Sequence, residues 1–209
     1  MKFTLTYDGE LPANGSKEKI WAIRKKIHPQ LTQLWASHPA LKALRRHQYV
    51  STKAGYWRVE IHHSADDQLQ AGQPTPDSID LCEVMVRGGR EFLPLVRERT
   101  ALNCGLKILF LRQQPPGKVY QGGDMDNRLK TLFDALAVPR HQEQVVDDPT
   151  HEGLIYCLLE DDDLITGLNI ETHQLLSQPN ASVHEVKLII EADVRTTQSR
   201  MYNQPLLGD

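Results

Sequence analysis

One stretch narrows the range of folds for this chain more than any other. Gly122-Gly123-Asp124-Met125-Asp126-Asn127-Arg128-Leu129-Lys130 runs directly into Thr131-Leu132-Phe133-Asp134-Ala135-Leu136. Leu129, Leu132, Phe133 and Leu136 recur at offsets of three, four and seven, the apolar stripe of an amphipathic helix. Two carboxylates, an amide and an ammonium group stand at its mouth. The glycine pair tolerates tight backbone, so the acids are expected on an extended lead-in, where residues two apart point to the same side. Carboxylates held together repel one another, and the cluster is stable when a positive ion sits among them. Lys130 follows Asp126 by four residues and Asp134 follows Lys130 by four, so the three share one helix flank. Taken alone, the same residues also describe a capping acid and a surface ion-pair ladder worth ~0.3–0.5 kcal/mol per pair. The second acidic knot, Glu160-Asp161-Asp162-Asp163, turns the reading toward a metal site selecting Mg²⁺, with Mn²⁺ as a substitute.

The remaining elements follow from pattern. Met1 to Tyr7 alternates like a strand. Ser16 is placed to cap a helix with the stripe Ile20, Ile23, Ile27, Leu31 and Leu34, with Arg24 and Lys25 off the stripe and Pro29 kinking or dividing it. A short helix is expected over Pro39 to Arg46. One or two strands are expected over Tyr49 to His62 with Gly55 as their turn, and a further strand from Ile79 to Val86. Arg87-Gly88-Gly89-Arg90 reads as a turn. Asp66 to Ser78 and Gln113 to Gly123 read as polar or flexible loops, the second bringing Lys118 close to the acids.

The chain has 209 residues, 40% of them hydrophobic, enough for one globular domain with a sizeable core. Cys82, Cys104 and Cys157 are odd in number and widely spaced, which reads as buried small hydrophobes in a reducing compartment. No apolar run reaches transmembrane length and the amino terminus is too short and polar for a signal peptide, so a cytoplasmic protein without membrane contact is expected. The net charge of −3 conceals asymmetry. Basic residues gather at Lys17, Lys19, Arg24, Lys25 and Lys26, at Lys42, Arg45, Arg46 and His47, and at Arg87, Arg90, Arg97 and Arg99, whereas acids concentrate after Asp124. That placement is read as a DNA-guiding surface, with solvated helix faces as the alternative. His62 and His63 are adjacent, so on a strand they point to opposite faces and suit no common metal. No Gly-x-x-x-x-Gly-Lys-Ser/Thr loop and no Gly-x-Ser-x-Gly elbow occurs.

Asp124-x-Asp126-Asn127-x-x-Lys130-x-x-x-Asp134-Ala135-Leu136, with the later paired acids, resembles the central motif of the RusA-type Holliday junction resolvases, small endonucleases of bacteria and phages. The order also matches: strand Leu106 to Leu111, motif helix, acidic lead-in Asp161-Asp162-Asp163-Leu164-Ile165, then a closing strand from Glu185 to Ala192. The resemblance covers about Cys104 to Asp193, with an echo in Pro12-Ala13-Asn14. It leaves two segments without counterpart, an insertion over 36–103 and a long link over 138–159.

What the resemblance implies is an α/β (α+β) fold, a small and mainly antiparallel sheet packed by helices, acting as a homodimer on four-way DNA junctions. It implies Asp124, Asp126 and Asp162 as Mg²⁺ ligands, with Asp163 the next choice for the third acid, and Lys130 as a catalytic lysine. Asp148 is a rival third acid. Asp162 is preferred because it leads into the apolar Leu164-Ile165 strand, whereas Asp148 precedes Pro149 in what reads as an exposed loop. Lys118, Arg128, Arg87 and Arg90 are the candidate DNA contacts. Two other readings stay open: a structure-specific nuclease on other branched DNA, and a non-catalytic DNA-binding protein that keeps the fold.

Overall fold

The computed structural model describes residues 1–44, 47–52, 55–60, 78–79, 82–113, 124–176, 185–200 and 203–206. In chain order the elements are β1 (Lys2–Glu10), α1 (Lys17–Ser37), α2 (Pro39–Leu44), β2 (His47–Thr52), β3 (Gly55–Glu60), β4 (Ser78–Ile79), β5 (Met85–Arg87), β6 (Arg90–Val96), β7 (Leu102–Arg112), α3 (Asp124–Leu136), β8 (Ile155–Leu159), β9 (Ile165–Gln174) and β10 (Glu185–Thr196). The architecture is α+β, and the described strands form three sheets: β1-β10-β7-β9, β3-β2-β4 and β5-β6-β8. The pairs β1–β10, β10–β7, β2–β3, β2–β4 and β5–β6 are antiparallel, and β7–β9 and β6–β8 are parallel.

The four-stranded sheet buries one face because its strands alternate. Leu5 and Tyr7 on β1, Leu106, Ile108 and Phe110 on β7, and Leu188, Ile190 and Ala192 on β10 are all buried, while their neighbours Lys107 and Glu191 point outward. Ile23, Ile27, Leu31 and Trp35 of α1 and Leu129, Leu132 and Leu136 of α3 close the same core. A second cluster, Trp21, Phe92, Val138, Ile155 and Cys157, joins α1 to the β5-β6-β8 sheet. The three cysteines are buried and form no disulfide, and burial raises the Cys104 thiol to about 12 and the Cys157 thiol to about 11.

Several expectations are corrected here. Helix α1 runs unbroken through Pro29, since Ile27, Leu31 and Trp35 hold one buried stripe on both sides of it. Arg24 lies on that stripe and is buried, its Nη2 donating to the carbonyls of Asp134 (2.6 Å) and Ala137 (2.9 Å). It thus satisfies carbonyls that the end of α3 would otherwise leave bare. Ile79 to Val86 is not one strand, because β4 ends at Ile79 and β5 begins at Met85 with a turn at Cys82. Gly55 opens β3, and the turn before it lies outside the described residues. The link over 138–159 is not wholly a loop: Ile155-Tyr156-Cys157-Leu158-Leu159 forms β8, buried at every residue and parallel to β6. The expected Arg87–Arg90 turn is present, with Gly88 and Gly89 at φ +53° and +76°. Two consecutive left-handed residues are what a tight hairpin of right-twisted strands requires. His62, His63 and most of the loop from Asp66 to Ser78 lie outside the described residues. Among the described residues no helix is long and apolar enough to cross a membrane.

Asp148 is buried, not in an exposed loop. Its carboxylate accepts from Trp21 Nε1 (2.8 Å), Lys25 Nζ (2.8 Å) and both the amide (3.0 Å) and hydroxyl of Thr150. Those donors, Lys25 first, hold it well below the usual carboxylate range. Close by, His28 Nδ1 accepts the amide N–H of Tyr156 at 2.9 Å and its ring meets His151 edge-on at 5.0 Å. Burial, then the charge of His151, lowers the pKa of His28 from 6.5.

Both shifts couple folding to pH in the same sense. A depressed pKa gives stability that is complete above the unfolded value and lost as pH falls through the folded one. His28 therefore costs stability as pH drops below about 6.5, and Asp148 only below about 4. Thermal melts across pH 3–8 are expected to show two losses. His28→Gln should flatten the near-neutral one and Asp148→Asn should make the acid one shallower. A His28→Gln curve superimposable on wild type between pH 7 and 5 would contradict the assignment.

Candidate metal and nucleic-acid site

The motif helix and the acidic turn meet at one cleft of about 600 Å³. Helix α3 contributes Asn127, Lys130, Thr131 and Asp134, the residues after it Pro139, Arg140 and His141, and the acidic turn Asp162. The opposite wall is Asn14 to Lys17 at the start of α1, together with Arg24. Gly15 makes that wall possible. Its amide donates to Thr131 Oγ1 at 3.0 Å, and a Cβ there would lie 2.4 Å from Thr131 Cγ2, so only glycine lets the loop approach α3 this closely.

Asp134 is half-buried beside this cleft, and burial raises its pKa against the opposing pull of Lys130, Arg140 and Arg24. The acidic turn is a single 3-10 turn, Asp162–Leu164, capped by Asp161, whose carboxylate accepts from the amide of Asp163 at 3.1 Å. Arg140 Nη2 donates to Oδ1 of Asp161 at 2.5 Å and to Oδ1 of Asp162. Burial and the adjacent Asp161 raise Asp162. Burial also works against ionisation of Asp161, yet its hydrogen bonds from Arg140 and Asp163 hold it below the ordinary value. Two acids sharing one guanidinium divide in this way because like charges so close resist joint ionisation.

Asp161, Asp162 and Asp163 offer oxygens within 4.8 Å of one another, and among the described residues no other group of three or more His, Cys, Asp or Glu converges so tightly. The donor set is all carboxylate, with neither sulfur nor imidazole, and it fits a hard divalent cation such as Mg²⁺ or Mn²⁺. Lys130 and Asp162 line one cleft, whereas Asp126 is exposed and lies outside that tight group. The lead-in differs from expectation as well. Helix α3 begins at Asp124, so Asp124 and Asp126 occupy helical positions, which lie about 200° apart around the axis and not on one strand face. Lys118 lies outside the described residues.

Several of the cations read as DNA-guiding already have partners within the chain. Arg90 donates to the carbonyls of Val146 (3.0 Å), His151 (2.8 Å) and Asp148 (2.6 Å), pinning the link before β8, and lies over the Trp21 ring. Arg97 is buried against Glu83 and Glu160, and Arg128 is also buried. Lys19 pairs with Glu10, Lys25 with Asp148, and Lys26 donates to the carbonyl of Asp8. A helical wheel scores such residues as surface, but a long cation whose head finds carbonyls or carboxylates can be drawn inward. Arg87, by contrast, borders a second cleft with Arg140, Asp161 and Asp163 on the far side of the acidic turn.

Comparison with protein-family models, curated proteins and solved structures gives no match to this chain.

Proposed function

We propose that this chain is a metal-dependent endodeoxyribonuclease. Within that class we assign it to the resolution of four-way DNA junctions by paired phosphodiester hydrolysis, acting as a homodimer so that two sites related by a two-fold axis cut symmetrically. The observation that carries the reading is the single cleft shared by Lys130 and Asn127 of the motif helix and Asp162 of the acidic turn.

Asp162 and its neighbours Asp161 and Asp163 would hold the ion, with Asp124 and Asp126 at the head of α3 as the further acids implied by the motif. A divalent ion bound there would supply Lewis-acid neutralisation of the phosphate and lower the pKa of a water nucleophile. Lys130, exposed on the flank of α3, would offer its ammonium to charge developing on the phosphate oxygens. Asn127, one turn earlier, orients the phosphate or a water through its amide. Lys17 on the opposite wall adds positive charge where a DNA strand would pass.

The test is incubation of the purified protein with labelled four-way junction, flap, fork and linear duplex, each with Mg²⁺ or with chelator. Paired, symmetric, Mg²⁺-dependent nicks confined to the junction are expected. Cutting of flaps or forks instead would make it a nuclease on other branched DNA, and binding without cleavage would leave a DNA-binding protein.

A further inference from the structure

We propose that Arg140 is a resident cation of the acidic turn, which a divalent ion must displace, so that this residue sets the metal affinity of the site; the inference rests on the metal-dependent reading above. Arg140 Nη2 donates to Oδ1 of Asp161 at 2.5 Å and to Oδ1 of Asp162, and lies 3.8 Å from Oδ1 of Asp163. These are the three carboxylates whose oxygens lie within 4.8 Å of one another. A guanidinium nitrogen lodged against Oδ1 of both Asp161 and Asp162 fills the space in which an ion bridging those two oxygens at about 2.0–2.6 Å would sit and repels its charge, so the two cannot occupy that position together.

Two features make Arg140 a displaceable occupant. Its side chain is 51% exposed, so the pairing is the solvent-screened kind that contributes little to folding, and leaving it opens no cavity. Its backbone follows Pro139, which is buried, and it stands between two clefts, one holding Lys17 and Lys130 and the other Arg87. The guanidinium can therefore leave without unfolding its surroundings, with open cleft on either side of it.

The consequence is a built-in threshold. At low ion concentration Arg140 neutralises the carboxylates and keeps the turn ordered, and at higher concentration the ion takes its place. Removing the side chain should therefore tighten metal binding, the opposite of what loss of a supporting residue does.

Mn²⁺ titration followed by the electron paramagnetic resonance of the free ion tests this on wild type, Arg140→Gln, Arg140→Lys and Asp162→Asn, each checked for folding by circular dichroism. Arg140→Gln is expected to bind Mn²⁺ about two- to five-fold more tightly, the range a screened ion pair can contribute. Arg140→Lys should stay near wild type because it keeps the charge, and Asp162→Asn should bind more weakly. Unchanged or weaker binding in Arg140→Gln, with Asp162→Asn still impaired, would overturn the role of Arg140 and leave the metal site standing. Equal binding in wild type and Asp162→Asn would place the ion elsewhere and overturn the proposal. No binding in wild type or in Arg140→Gln would remove the metal reading itself, and the proposal with it.

Discussion

Asp162→Asn is expected to lower the rate of junction cleavage by roughly 10²- to 10³-fold, the scale set by loss of one group that stabilises transition-state charge. Junction affinity should change little. The substitution keeps the shape of a half-buried side chain and still offers Arg140 an acceptor, so the acidic turn should fold as before. What it removes is the negative charge that a divalent ion requires. Asp126→Asn is expected to behave in the same way if the acids at the head of α3 share the ion, and unchanged activity there would remove Asp126 from the site. Lys130→Ala offers a contrast within the same single-turnover assay. If Lys130 acts on developing charge, its loss should slow the chemical step more than it weakens binding, and equal losses in both would make it a phosphate anchor instead.

The second large effect is on stability. Trp35→Ala should destabilise the fold by about 3–5 kcal/mol, the usual cost of emptying a buried aromatic site. For a chain of this size that corresponds to a melting temperature lower by roughly 10 °C. Trp35 is 1% exposed and its ring lies 5.9 Å from that of Tyr156, so it ties the last turn of α1 to β8. Trp35→Phe should recover most of the loss. A melting temperature within a degree or two of wild type for the alanine variant would mean that α1 ends, in effect, before this residue.

The legible parts of the fold are those where one period dominates. Leu129, Leu132, Phe133 and Leu136 mark α3, and the alternating apolar residues of β7 and β10 mark the centre of the main sheet. The less legible parts turn on side chains whose chemistry outvotes their class. Arg24 and Asp148 count as polar in any pattern, yet each is drawn inward by partners more than a hundred residues away, Asp134 and Ala137 for the first, Trp21 and Lys25 for the second. Nothing local encodes those meetings. For β8 a signal was present: the six consecutive apolar residues Leu154 to Leu159 that follow Gly153 are the mark of a strand covered on both faces. At the candidate site, Lys130, Asn127 and Asp162, all residues of the motif and its acidic lead-in, line one cleft. The seat of Arg140 was not legible, because a lone arginine after a proline has no pattern to betray it.

The order of strands has a consequence for how the molecule is made. β10 lies between β1 and β7, pairing Lys2 with Asp193 and Val186 with Arg112. During synthesis at about 5–20 residues per second, β1 is made before β10 and waits roughly 10–35 s for it, its sheet partner among the described residues, with about 175 residues made between them. Throughout that interval Leu5 and Tyr7 lack the strand they pair beside, and once β7 is made its edge toward β10 waits as well. Completion of this sheet accordingly waits for β10 and proceeds at the pace of long-range strand pairing.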